Sequence, residues 1–180
     1  MELNYGMNNP KSMKDVVSTL FESADKLLSV HCKLNEIAMG ITQSIGYNGF
    51  KRWHRYRSKE FHKLKLKMEN ILIDEFRITP TVKEYELTYT PSSLEEHLRS
   101  WESALLDGVE NVGNLYKQYY DTVGRCNKPL EEFSKILITD YKKVGRLITR
   151  FTESDWLAID MHMVDDNLHR KYKELEHEHC

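Results

Sequence analysis

"GFKRWHRYRSKEFHKLKLKMEN", residues 49–70, decides the fold. Phe50, Trp53, Phe61, Leu64 and Met68 recur at three- and four-residue steps, and Ile71 continues the series with Leu72 beside it. That spacing places them along one side of a helix. Arg57 lies in the middle of the apolar stripe. Arg52, Arg55, Lys59, Lys63 and Lys67 form a second stripe pointing nearly the opposite way, at about 100° per residue. The segment therefore reads as a long amphipathic helix over 50–76, with one side for a core and a cationic side for something else.

Working outward, the four prolines (10, 80, 91 and 129) act as punctuation between long segments of helical period. Upstream, Leu20, Ala24, Leu27, His31, Leu34, Ala38, Ile41 and Ile45 share a face, predicting a helix over 14–47. Gly46, Asn48 and Gly49 stop it and turn the chain. Downstream, "RITPTVKEYELTYTPSS" (77–93) has too few β-branched and aromatic residues for a sheet and reads as an extended crossover. Ser92 or Ser93, with Glu95 or Glu96 three residues on, has capping-box spacing and opens a helix over 93–123. Its inner face is Leu98, Trp101, Leu105, Gly108, Val112, Leu115 and Tyr119. Asn127 and Pro129 begin a fourth helix, 129–152, which buries Phe133, Ile136, Leu137, Asp140, Val144, Leu147, Ile148 and Phe151. Ser154 or Asp155 starts a fifth, 155–175, carrying Trp156, Ile159, Met163, Leu168 and Tyr172. The expectation is an all-α, single-domain chain: a four-helix bundle whose one long crossover joins helices 2 and 3, plus a C-terminal helix.

A chain of 180 residues, 40% hydrophobic and 30% charged, can bury one core. The net charge of −2 hides an asymmetry: residues 51–67 carry eight Lys or Arg and one Glu, a local +7 that leaves −9 for the rest. No apolar run approaches the roughly 18 residues of a membrane span. The N-terminal residues lack the pattern of a secretory signal, so a cytoplasmic location is expected. Cys32, Cys126 and Cys180 are few, odd in number and far apart, which favours reduced thiols over a disulfide framework. The chain holds no phosphate-cradling glycine loop, Cys-x-x-Cys, His-Glu-x-x-His or nucleophile elbow. The terminal "HEHC", with His177, His179 and Cys180, reads as a frayed end rather than a metal site.

From Leu27 to Phe151 the sequence resembles the ferritin-like superfamily, and bacterial non-haem ferritins in particular. "GFKRW" (49–53) resembles the G-F-x-x-W opening of that family's second helix. "YTPSSLEEHLRSWESALLDGVENVGNLYK" (89–117) resembles its crossover and third helix, and "EEFSKILITDYKKV" (131–144) its fourth. No one motif is specific; order, spacing and lengths carry the likeness. The resemblance implies a di-iron ferroxidase centre built from a first-helix Glu, a second-helix Glu-x-x-His, a third-helix Glu and a fourth-helix Gln. Carried onto this chain, those positions fall on Leu34, Phe61 and Leu64, Gly108, and Tyr141. None is a carboxylate or an imidazole. A slip of one residue does not restore the site, because Asn35, Glu36, Asp107 and Glu110 are expected to rotate away from the core. The centre is thus expected to be degenerate and plugged by hydrocarbon, with no cofactor and no ferroxidase activity.

Three ionisable residues remain on inner faces: His31, Arg57 and Asp140. Each can reach water at a bundle end, Arg57 and Asp140 can pair across the bundle, or His31 and Asp140 can hold a weak metal. The cationic stripe has two readings as well. It is a solvated face neutralised by Glu95, Glu96, Asp121 and Glu131, or it is a docking surface for phosphate or an acidic protein. The overall −2 argues against a dedicated nucleic-acid binder. The functional expectation is a non-enzymatic interaction or oligomerisation module, with self-association of basic against acidic faces. An iron-binding bundle with a non-standard site and a phosphate-backbone binder are its alternatives.

Overall fold

The computed structural model describes residues 10–80 and 86–178. Five helices follow in order: α1 (Pro10–Ser44), α2 (Asn48–Phe76), α3 (Leu94–Val123), α4 (Lys128–Glu153) and α5 (Ala158–Glu178). No strand occurs among the described residues. The helix ends have identifiable causes. Gly46, at φ 91°, takes a left-handed conformation that helix residues avoid, so α1 closes at Ser44 rather than at 47. At the end of α2, Arg77 is left-handed, its N–H returns to the Ile73 carbonyl at 3.1 Å, and the Ile78 N–H returns to Leu72 at 3.0 Å. Ser93 caps α3 by accepting from the Glu96 N–H, and Glu96 reaches back to the Ser92 N–H. Asn127 caps α4 by accepting from the Leu130 N–H. Asp155 and Trp156 are left-handed at φ 55° and 54°, so α5 starts at Ala158, three residues later than its sequence pattern suggests.

The helix directions follow from the rings they share. Phe21 of α1 meets Phe76 at the far end of α2 and Tyr119 at the far end of α3, each at 5.3 Å between centroids. Near the other end of α1, Asn35 neighbours His54 of α2, which itself meets His97 of α3. Thus α1 is antiparallel to both α2 and α3, and α2 and α3 run parallel. A parallel pair needs the chain carried from one bundle end to the other, which is the work of residues 77–93. Phe61 against Phe133, and Arg57 against Asp140, make α2 and α4 antiparallel. The largest fully buried side chains, among them Phe21, Trp53, Phe61, Leu98, Phe133 and Phe151, come from four different helices and fill one core.

The fifth helix lies along the first half of α2, parallel to it. Tyr47, which precedes α2, makes no side-chain cap; instead the Asp165 carboxylate of α5 accepts the Phe50 N–H at 2.9 Å. The Gly49 backbone meets α5 so closely that a Cβ there would stand 1.8 Å from the Asp165 carbonyl oxygen. The glycine of "GFKRW" is thus required by the helix that crosses it. The face that α5 buries is Val164, Asp165, Leu168 and Tyr172. Ile159 and Met163, expected on that face, are 74% and 53% exposed, because the late start of α5 and its anchor at Asp165 rotate them outward.

Candidate functional site

At the five positions where the ligands of a di-iron centre were sought, the chain places a packed interior. Phe61 and Leu64 are buried, and Leu34 and Tyr141 are half-buried against the core. Gly108 is buried and faces the His31 ring; a Cβ there would come within 2.7 Å of both Cε1 and Nε2. His31, and not Leu34, is therefore the α1 residue in this layer. Its ring packs edge-on against Phe61 and Phe133, at centroid distances of 6.1 and 5.5 Å. Burial pushes the His31 pKa down to about 4, so the imidazole is neutral. Among the described residues, no three His, Cys, Asp or Glu side chains come together in a way that holds a metal ion. Iron needs several oxygen and nitrogen donors, and this donor set does not fit it.

Next to that layer, Arg57 grips Asp140 with two prongs: Nε to Oδ2 at 2.6 Å and Nη2 to Oδ1 at 2.7 Å. Its Nη1 also meets Glu60. Asp140 is buried, with a side-chain exposure of 3%, while Arg57 keeps 11% and borders a cavity between α2 and α4. Burial works against the Arg57 charge, yet Asp140 and Glu60 hold the guanidinium above its ordinary range. Burial also raises the Asp140 carboxyl, and Arg57 pulls it back. Each Asp140 oxygen accepts one of these bonds. Lys143 stands beside this pair, over the rings of Trp53 and Tyr172, and donates to the Tyr172 hydroxyl at 3.1 Å. Burial brings its pKa down to about 8.

A second polar set was not anticipated. Asn35, expected to rotate outward, is 1% exposed, and so is His54 of α2. The Asn35 amide donates to the His31 carbonyl at 2.8 Å, which leaves its oxygen as an acceptor for His54 Nδ1 at 3.0 Å. Burial, with help from the His97 and Arg57 charges, drives His54 well below its usual pKa, so it carries one proton, on Nδ1. His54 Nε2 must then accept from His97 Nε2, 2.9 Å away, and His97 Nδ1 accepts from the Tyr89 hydroxyl at 2.7 Å. The Asn35 amide, oriented by the His31 carbonyl, sets this direction, and the Tyr89 hydroxyl divides its one proton between His97 Nδ1 and the His97 carbonyl oxygen at 3.0 Å. The outcome is a one-way chain from the crossover through α3 and α2 to α1, sealed by Trp101 and Trp53 against the His54 ring. The signal was available in the sequence: Asn35 is one turn beyond His31, and His97 one turn before Trp101, so each shares a face with a core residue.

The cationic stripe lies outside all of this. The acids expected to neutralise it are engaged elsewhere: Glu95 with Arg99, Glu96 with Ser92, and Glu131 with Lys135 and Cys126. Asp121 is exposed on α3. Glu176 of α5 takes Arg52 at 3.1 Å and Arg55 at 4.0 Å. Lys59, Lys63 and Lys67 have no carboxylate within 4.0 Å among the described residues. With Arg55 they line one wall of an open cavity of about 850 Å³ between α2 and α4. His179 and Cys180 lie outside the described residues, and His177 is exposed at the cavity end. No described helix is long and apolar enough to cross a membrane.

No protein-family model and no curated protein matches the chain in sequence. Solved structures match in shape. A humanized archaeal ferritin superposes with a TM-score of 0.68 at 13% identity, covering 90% of this chain and 98% of its own. The open-pore ferritin of the hyperthermophilic archaeon Archaeoglobus fulgidus gives 0.61 at 13%, covering 91% and 98%. A closed form engineered from that ferritin gives 0.61 at 14%, covering 90% and 97%. Since those matches span the bundle and its crossover, the chain has the ferritin-like four-helix fold.

Proposed function

We propose that this protein is a non-enzymatic ferritin-like bundle with a degenerate ferroxidase centre. It works as an interaction module through the basic face of α2. The carrying observation is that Lys59, Lys63 and Lys67 stand in one row without carboxylate partners among the described residues, although the chain as a whole is slightly acidic. Intramolecular ion pairs satisfy Arg52, Arg57 and Lys65 of the same helix, so the three lysines are left for an anionic surface from outside. The interior supports the same reading. A bundle that oxidised iron would have to place several charged donors where Phe61, Leu64, Gly108 and the neutral His31 now pack.

Self-association fits the charge division, with the basic face of one copy meeting acidic surface of another. The test has two arms. Purified protein loaded with Fe(II) is expected to retain fewer than about two irons per chain and to oxidise them no faster than buffer; stoichiometric binding with fast oxidation would overturn the reading. Light scattering on a sizing column is expected to show an assembly that weakens as salt rises and in Lys59→Glu/Lys63→Glu. An assembly indifferent to both would remove the basic face from the account.

A further inference from the structure

We infer that the cavity between α2 and α4 is a groove for an acidic amphipathic helix of a partner polypeptide; this rests on the basic-face reading and names its partner. The groove runs along α2 from Arg55 to Lys67, about 18 Å at 1.5 Å per residue, enough for some three turns of a docked helix. Its volume is about 850 Å³, and it is open to solvent. The α5 helix covers the earlier half of α2 and ends at the groove, where Glu176 and His177 form the closing wall.

The chemistry of the lining selects the occupant. The floor is carbon: the Tyr56 ring, buried Leu64 and half-buried Ile136, flanked by lysine stems. A hydrocarbon floor rewards an aliphatic stripe on the ligand, which a phosphate strand lacks. The rim is cationic at one-turn intervals, Lys59, Lys63 and Lys67 following one another at i, i+4. Carboxylates repeated at the same interval on a docked helix would face them one to one. Finally, Glu60 and Glu132 line the groove too, beside Glu176. A polyphosphate or nucleic-acid strand, charged at every unit, would run against those carboxylates, whereas a helix can set a Lys or a neutral residue there.

The experiment uses the full chain and a fluorescein-labelled synthetic peptide of about 15 residues. The peptide carries Glu at i, i+4 on one face and Leu at i, i+3, i+7 on the other, and anisotropy is followed at about 0.1 M salt. Saturable binding is expected, weakened about tenfold or more by Lys59→Glu/Lys63→Glu and separately by Ile136→Gln, each variant checked for an unchanged unfolding curve. A scrambled peptide of the same composition that binds as well would overturn the helix-groove inference while leaving the basic-face reading intact. A single-stranded oligonucleotide of equal charge that outcompetes the peptide would overturn it in favour of phosphate recognition. If neither probe binds, the groove and the basic-face reading fall together.

Discussion

Acid should weaken this fold at a pH where its surface carboxylates are still largely ionised, because three histidines are buried without charge. His31 and His97 titrate near 4, pushed down from 6.5 by burial, and burial drives His54 well below 6.5 in the same direction. A depressed pKa means that the unfolded chain takes up protons before the folded one. Stability is then complete above pH 6.5 and is lost as pH falls toward 4. Between pH 7 and 5 each of His31 and His97 removes about 2 kcal/mol, from 1.36 kcal/mol per pKa unit. Asp25 opposes this. Burial and the neighbouring Glu69 raise its pKa to about 6, so the folded state gains a proton first and recovers about 1 kcal/mol over the same interval. The histidines win. The net loss is about 2–3 kcal/mol before His54 is counted, a large part of a typical stability of about 5–15 kcal/mol. Urea unfolding followed by far-UV circular dichroism at pH 7, 6 and 5 measures it directly. His31→Leu, which keeps the ring-lined site apolar, should return about 2 kcal/mol of the loss at pH 5. A stability that stays flat from pH 7 to 5, or a His31→Leu curve as steep as the parent's, would refute the assignment of buried neutral histidines.

Three further outcomes are expected. Asp140→Asn takes the buried carboxylate from Arg57 and leaves it only Glu60, which should cost about 3 kcal/mol in denaturant unfolding, while Arg57→Met with Asp140→Leu should recover most of it; an unchanged midpoint in the single variant would mean that the pair is idle. Gly108→Ala places a methyl against the His31 ring and should cost about 1–3 kcal/mol; His31→Ala in the same chain should relieve the clash, so additive losses in the double variant would contradict the contact. Asp25→Asn should stabilise by about 1–3 kcal/mol at pH 7.5, where the buried carboxylate is charged, and have little effect near pH 4, where the folded chain already protonates it; a pH-independent change would show that ionisation at Asp25 is not the cause.

Much of the architecture was legible because its signals are local. The stripes of α3 and α4 and the Ser93 and Asn127 caps all act within a turn or two of their own positions, and sequence spacing reports such features faithfully. The interior was harder. Helical period says which residues share a face, but a bundle helix meets partners on more than one side. Asn35 and His54 sit just off the main apolar stripes, yet lie inside because α3 and the crossover cover that flank. Ile159 and Met163 show the converse, apolar residues left in water because α5 is anchored by Asp165 rather than by its own greasiest face.

Taken alone, the residue order determined that this chain makes long amphipathic helices and that one long connection separates two helical pairs. It also determined that no carboxylate or imidazole stands at the five sought positions. Only the tertiary structure decided which helix flanks are dry, that Arg57 closes on Asp140, that Tyr89, His97, His54 and Asn35 form one hydrogen-bonded line, and that Lys59, Lys63 and Lys67 make no ion pair among the described residues. The physical reason is range. Periodicity and capping are short-range properties of one segment, whereas burial, proton affinity and charge pairing depend on groups brought together from segments far apart in the chain.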